Sequence, residues 1–143
     1  MIAKAATISH GGNAVRYSVN KDKAEIVKVN FLPDDISAEA MYQRMVLKQK
    51  EFASTINKGR PLKRNVIRME ISPTKEESAG WTLDDWVRLA NEYIQIFDSI
   101  DLSKKAKRAS AKCTNVRNSQ YIVALHHDAK SGIPHLHIDV NRV

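Results

Sequence analysis

The fold is decided by the stretch from Tyr121 to Arg142, which reads YIVALHHDAKSGIPHLHIDVNR. Two runs rich in strand-forming residues flank a loop that contains glycine and proline, an order typical of a β-hairpin with a long loop. In the second run, Leu136, Ile138 and Val140 alternate with polar residues. Because successive side chains of a strand point to opposite faces, we predict paired antiparallel strands, the second with a wholly polar face.

That polar face begins with His135 and His137. Two side chains so placed project side by side, about 6–7 Å apart at the backbone, and both can bind one metal ion. The hairpin brings the end of the first strand next to His135, where either His126 or His127 can supply a third imidazole. Three imidazoles leave positions on a metal open for substrate, and we expect a divalent ion such as zinc, nickel, manganese or magnesium.

Two aspartates accompany these histidines. Asp128 lies on the His126 side of its strand if the strand extends so far, and a carboxylate there would fix the orientation of a ligand imidazole. Asp139 alternates onto the same face as His137, and we expect it to be solvated or paired with an arginine. The sequence thus predicts a histidine metal site with acidic neighbours.

The composition limits the class of protein. A chain of 143 residues with 43% apolar residues suits one domain with an ordinary core. It contains no run of about 18 or more apolar residues, so we expect no membrane span. The single cysteine, Cys113, cannot form an internal disulfide, which fits a reducing cytoplasm.

Alternation and capping patterns predict the other elements. We predict strands over residues 2–8, 24–32 and 64–72, and helices over 14–20, over 38–57 and after Thr82, where Asp85 completes a capping box. With the hairpin, the order becomes β-α-β-α-β-α-β-β. This order predicts an α+β fold with a mainly antiparallel sheet of about five strands and helices packed on it.

The net charge of +7 is unevenly distributed. Residues 44–68 contain eight Lys or Arg and one acid, and residues 104–117 contain six and none. Between these stretches, residues 74–101 contain seven acids and two bases. Basic charge concentrated in two stretches indicates a surface that follows the phosphates of a nucleic acid.

Three motifs together resemble those of conjugative mobilisation relaxases, which are histidine–hydrophobe–histidine endonucleases. The last motif of that family runs His-x-Asp, a short variable loop, Pro-His-x-His and then Asn-Arg, and residues 126–142 resemble it. The opening ISHGGNAVRY, residues 8–17, resembles the first motif, which ends in a nucleophilic tyrosine. RMEISP, residues 68–73, resembles the middle strand, in which a carboxylate approaches the site.

The resemblance implies a ligand set and a nucleophile. Because Asp128 follows His126 by two residues, the family pattern assigns the metal to His126, His135 and His137, and His127 receives no role. Tyr17 is implied to cleave one DNA strand at an origin of transfer and to become joined to the 5′ phosphate. The reaction would mobilise a plasmid or a transposon.

A phenol loses its proton only at a pH of about 10, so attack near neutrality needs assistance. The field of the metal, Glu70 or Asp128 could supply it, and the residues do not choose among them. Accessory mobilisation proteins and a coupling protein are implied partners besides the single-stranded DNA. The residues that we expect to contact the DNA are Arg16, Arg60, Lys63, Arg64, Arg68, Asn141 and Arg142.

Two alternatives remain open. One is a related enzyme that initiates rolling-circle replication or transposition, whose tyrosine is expected on a helix after the metal motif; no tyrosine follows His137. The other is a non-catalytic DNA-binding module whose histidines bind a structural metal. Relaxase domains usually continue beyond the last motif, so we expect residues 1–143 to be the catalytic domain of a longer protein, truncated at its C-terminal end.

Overall fold

The computed structural model of the protein describes residues 1–104, 111–127 and 130–143. Asp128, one of the predicted catalytic residues, lies outside the described residues, as does part of the second basic stretch. Within the described ranges, no helix combines the length and the apolar character that crossing a membrane requires.

The described part of the chain forms five strands and three α-helices in the predicted order. The strands are β1 (Ile2–Ile8), β2 (Glu25–Asn30), β3 (Val66–Ser72), β4 (Tyr121–His126) and β5 (His135–Asn141). The helices are α1 (Gly11–Asn20), α2 (Ala38–Thr55) and α3 (Leu83–Ser99). Short 3-10 turns at Leu102–Lys104 and Val116–Asn118 precede β4. The predicted α+β class is confirmed.

All five strands belong to one sheet in the order β1-β3-β5-β4-β2, and every neighbouring pair is antiparallel. The β4–β5 hairpin therefore occupies the middle of the sheet. We call the face that carries His135 and His137 the site face. On that face, the pairing places Lys4, Glu70 and His137 in one row across three strands.

Helices cover both faces of the central strands. Helix α3 packs on the face opposite the site face, where Trp86 and Ala90 join a buried cluster with Ile138. Helices α1 and α2 pack on the site face, where Val15 and Met41 contribute to a second buried cluster. Polar side chains on the site face of β5 are therefore inside the protein, which makes their interactions costly to lose.

Helix α1 begins at Gly11, three residues earlier than predicted. Gly11 and Gly12 belong to the helix and allow close packing. A Cβ atom on Gly11 would collide with the Val66 side chain, and one on Gly12 would lie 3.0 Å from the Tyr42 ring. This close approach holds α1 against α2 and β3, and so fixes the position of Tyr17.

Two predicted helix starts are confirmed. The Ser37 side chain accepts a hydrogen bond from the Ala40 amide at the start of α2. Thr82 and Asp85 form a capping box at the start of α3. Both contacts satisfy backbone amides that have no partner within the helix.

Candidate metal centre

The three histidines assigned from the sequence come together at one end of the β4–β5 hairpin. His126, the last residue of β4, is the register partner of His135, the first residue of β5. One ring nitrogen from each of His126, His135 and His137 can be chosen so that all three lie within 4.8 Å of one another. This arrangement, which we call the histidine trio, could hold a metal ion.

His127 faces away from the trio. It is exposed, and its Nε2 lies 2.9 Å from Oε2 of Glu25 on β2. Alternation along β4 did not decide whether His126 or His127 supplies the third imidazole. The strand pairing decides it, because His126 lies opposite His135. The trio is formed with His126.

Two backbone carbonyls orient imidazoles of the trio. Nε2 of His126 lies 2.8 Å from the Ser18 carbonyl oxygen, and Nδ1 of His135 lies 3.4 Å from that of Ile133. A carbonyl can only accept a hydrogen bond, so the ring proton of each neutral histidine belongs on the nitrogen that faces it. The lone pairs are then on Nδ1 of His126 and on Nε2 of His135, as metal ligation requires.

His137 lies between two groups of opposite charge. Its Nδ1 is 3.2 Å from Nη2 of Arg68 and 3.5 Å from Oε1 of Glu70. Arginine only donates and a carboxylate only accepts, so the position of the ring proton selects the partner. A proton on Nδ1 pairs His137 with Glu70 and leaves the Nε2 lone pair for a metal. The other carboxylate oxygen of Glu70 is 2.6 Å from Lys4 Nζ.

The trio is most exposed at His135. His126 and His137 are buried, whereas His135 is half-buried. Three uncharged nitrogen donors match divalent ions of intermediate softness, such as zinc or nickel. The donors present therefore fit a divalent metal.

Tyr17 lies directly beside the trio. Its ring centre is 5.4 Å from that of His126 and 5.6 Å from that of His137, and 41% of the residue is exposed. Two cations face the same ring: Arg68 Cζ is 4.9 Å and Lys21 Nζ is 5.2 Å from its centre. An accessible phenol, three nitrogens that could hold a metal ion and positive charge thus share one site.

Asp139 lies beneath this site. It pairs in register with Arg68 and is completely buried, so the expectation of a solvated carboxylate is wrong. Burial raises the pKa of the Asp139 carboxyl to about 6; the Ser18 hydroxyl and the Arg68 guanidinium act in the opposite direction, and Glu70 adds to the increase. The charge of Arg68 acts on this carboxyl in the interior, because α1 covers this part of the sheet.

The predicted DNA contacts fall into separate groups. Arg68 belongs to the site, and Arg16 is exposed on α1, where its guanidinium donates to the Asn13 side chain. Arg142 is exposed and donates to the backbone carbonyl of Arg64, 3.0 Å away. The remaining residues of the predicted set are exposed between α2 and β3; they are Arg60, Lys63 and Arg64.

Asn141 does not belong to this surface. It is completely buried, and its amide donates to the Met45 carbonyl at 3.2 Å and to Gln120 Oε1 at 2.8 Å. Its own oxygen accepts from Gln49 Nε2 at 3.1 Å. The prediction that Asn141 contacts DNA is therefore wrong, because its side chain connects α2 to the sheet.

Lys4 and Ser18 are site residues that the sequence did not reveal. Lys4 reaches Glu70 because β1 pairs with β3, and no local pattern encodes that pairing. Ser18 contributes a backbone carbonyl, which every residue type possesses. Only the position of Ser18 next to Tyr17 on α1 could have drawn attention to it.

Comparison with family models, curated proteins and solved structures gives no match to this chain. The likeness to relaxases therefore depends on the three motifs and on the site that they form.

Proposed function

We propose that the protein is a metal-dependent DNA relaxase, which cuts one DNA strand at an origin of transfer through Tyr17. The observation that supports this proposal is the position of Tyr17, which is 41% exposed and whose ring contacts His126 and His137 of the histidine trio. Tyr17 and the two histidines come from distant parts of the chain. Ser18, the neighbour of Tyr17, bonds a histidine 108 residues away.

The proposed reaction exchanges one phosphodiester for another. The Tyr17 oxygen forms a bond to phosphorus, and the bond from phosphorus to the 3′ oxygen of the preceding nucleotide breaks. The phenol loses its proton, and the departing 3′ oxygen gains one. The products are a 5′-phosphotyrosyl DNA end and a free 3′ hydroxyl, so the number of phosphate ester bonds is conserved and closure is the same step in reverse.

The histidine trio would hold a divalent ion, which acts as a Lewis acid that withdraws charge from the phosphate oxygens. The other contributions come from the chain itself. Arg68 places a fixed positive charge over Tyr17, where a phosphate oxygen can accept its hydrogen bonds. With a metal on Nε2 of His137, the ring proton on Nδ1 would face Glu70, whose other carboxylate oxygen contacts Lys4. We therefore assign Glu70 to orienting a ligand rather than to removing the phenol proton.

The two alternative functions make different demands on the chain. A rolling-circle initiator or transposase of the expected kind carries its tyrosine after the metal motif, and Tyr17 precedes it. A non-catalytic DNA-binding module needs the metal and the basic surface, but it needs no accessible tyrosine beside the trio. The proximity of Tyr17 to the ligands favours the relaxase.

The test uses labelled circular single-stranded DNA with a randomised window, incubated with the protein and Mn²⁺. We expect a covalent protein–DNA adduct that resists denaturing electrophoresis and is absent from Tyr17→Phe. Tyr93→Phe, which removes a hydroxyl from α3 on the other side of the sheet, is the matched control and should form the adduct. An equal adduct in Tyr17→Phe would reject Tyr17, and metal binding with no adduct in the unmodified protein would favour the DNA-binding module.

A further inference from the structure

The sheet has two edge strands, and they differ in how well they are protected against pairing with another chain. β2 forms one edge and β1 forms the other. An edge strand exposes a row of backbone N–H and C=O groups that can hydrogen-bond a further strand, and proteins block such edges with charged side chains, proline or β-bulges. The distribution of these features therefore indicates which edge is available.

β2 carries several of these protections. The pairing of β2 with β4 is irregular between Ile26 and Lys28, and its six residues include the charges of Glu25 and Lys28. Directly after the strand, Phe31 has a φ of 54°, in the left-handed region, and Pro33 follows two residues later. These features interrupt the regular backbone of this edge, so β2 is a poor template for another strand.

β1 lacks such protections. It pairs with β3 without a register shift over all seven residues from Ile2 to Ile8, and it contains no proline. Residues 2–6 are exposed, and β3 is the only strand of the described chain that pairs with β1. Its one charged side chain, Lys4, already contacts Glu70 at 2.6 Å. The outer edge of β1 is therefore a long template whose single charge is paired within the molecule.

We propose that β1 pairs antiparallel with β1 of a second copy of this chain, which joins the two sheets into one sheet of ten strands. A two-fold axis at Ala5 gives the register that uses all seven residues of both strands. Across the interface, this register pairs Ile2 with Ile8 and Ala3 with Thr7. The pairing does not depend on the proposed function.

The side chains of β1 favour a second copy as the occupant of this edge. In the proposed register Lys4 lies opposite Ala6, so no two like charges stand directly opposite each other, an arrangement that destabilises paired strands. A register centred on Lys4 would place two lysines face to face. Ile2 is 74% exposed and would gain Ile8 as an apolar neighbour on the same face of the sheet. The edge is thus complementary to itself.

The proposed symmetry has a consequence for the histidine trio. Two antiparallel strands of one sheet are related by an axis perpendicular to that sheet, so the site faces of both copies lie on the same side. β3 separates β5 from β1, and His137 of one copy is therefore five strand spacings, or about 24 Å, from His137 of the other. The dimer would present both trios on one surface.

Sedimentation velocity over a range of protein concentrations tests the proposal, and we expect a monomer–dimer equilibrium. Ala5 is exposed, and Ala5→Lys places like charges at the two-fold axis, so the dimer should weaken by about tenfold or more. Ala5→Glu should weaken it similarly, and an equimolar mixture of the two variants should restore it. Ile26→Lys, on the β2 edge, is the matched control and should leave the dimer unchanged.

Disulfide cross-linking tests the register in a Cys113→Ser background, which removes the one native thiol. Ala5→Cys should cross-link to its own copy on oxidation, because residue 5 faces itself. Ala3→Cys and Thr7→Cys should each fail to cross-link alone, since the two equivalent positions are offset by about 13 Å along the strands. A mixture of these two variants should cross-link. Cysteine is close to alanine in size, so this test does not require the strand to tolerate a charge.

The opposite outcomes overturn the proposal. A protein that remains monomeric at every concentration has a β1 edge that does not bind a second copy. A dimer that Ala5→Lys leaves intact is formed through another surface. Cross-linking of Ala3→Cys alone, as efficient as that of Ala5→Cys, would reject the register.

Discussion

Arg68 lies over the ring of Tyr17, with its guanidinium carbon 4.9 Å from the ring centre. The same side chain reaches Nδ1 of His137, 3.2 Å from Nη2. One arginine therefore contacts both the proposed nucleophile and a proposed ligand. A planar guanidinium can stack on a ring and still donate hydrogen bonds from its edge, which a lysine ammonium cannot do.

The first prediction concerns this double contact. Arg68→Lys keeps the charge but loses the planar geometry, so we expect the rate of adduct formation to fall by about tenfold or more, which corresponds to about 1.4 kcal/mol. The affinity for Mn²⁺ should change little, because Arg68 is not a ligand. Arg88→Lys, on α3, is the control and should retain the full rate. A normal rate in Arg68→Lys would show that charge alone suffices.

The second prediction concerns metal binding and stability. A metal that binds only the folded protein stabilises it by about 2.7 kcal/mol when its free concentration is about 100 times the Kd, which raises Tm by several degrees. We expect this increase with Mn²⁺ or Zn²⁺ in the unmodified protein and in His127→Ala, whose lost imidazole faces Glu25. His135→Ala should show no increase, and an unchanged shift there would exclude the trio as the metal site.

The third prediction separates structural from surface roles in neighbouring residues. Asn141→Ala should lower the free energy of unfolding by about 2–4 kcal/mol, because the buried Met45 carbonyl and the half-buried Gln49 and Gln120 lose hydrogen bonds. Arg142→Ala removes an exposed side chain and should stay within about 0.5 kcal/mol. Denaturant titration measures both. A stable Asn141→Ala protein with weak DNA binding would restore Asn141 to the DNA surface.

The fourth prediction concerns acid stability at the start of α3. Hydrogen bonds from Thr82, with a smaller contribution from Arg88, lower the pKa of Asp85 below the usual value of an aspartate. A carboxyl with a lower pKa in the folded state stabilises the fold above its unfolded pKa, and this stabilisation disappears as the pH falls through the folded pKa.

Asp85→Asn should therefore be less stable than the unmodified protein at a pH of about 7, and the difference should shrink toward a pH of about 2. Thermal unfolding across that range provides the measurement. Asp84→Asn, in the same helical turn, lacks the capping contact to Thr82 and is the control. If the difference in stability between Asp85→Asn and the unmodified protein does not change with pH, the charge of Asp85 does not contribute to the stability of the fold.

Local patterns predicted much of this protein because the relevant interactions are local. Alternation in β5 predicted that His135 and His137 lie on one face of the strand. The predicted hairpin between β4 and β5 placed the end of β4, with His126, next to His135. Spacing also located the caps at Ser37 and Thr82. These features depend on residues a few positions apart, so a single sequence contains the information.

The errors occurred where distant segments meet. Alternation placed Asp139 and Asn141 on a polar face, but it could not show that α1 and α2 cover that face and bury both residues. Lys4 meets Glu70 through a strand pairing across more than sixty positions. The predicted start of α1 at residue 14 was three residues too late, because the sequence does not reveal the Tyr42 ring that packs against Gly11 and Gly12.

The hairpin position of the histidine trio has a consequence for how the site assembles. The three imidazoles lie within residues 126–137, so a short loop closure brings them together. The contact with α1 closes a loop of 108 residues, at a greater entropic cost. The histidine trio and the docking of Tyr17 thus depend on closing loops of different length. We expect a chain whose first helix has come loose to keep the proposed ion binding and to lose the proposed cleavage of DNA.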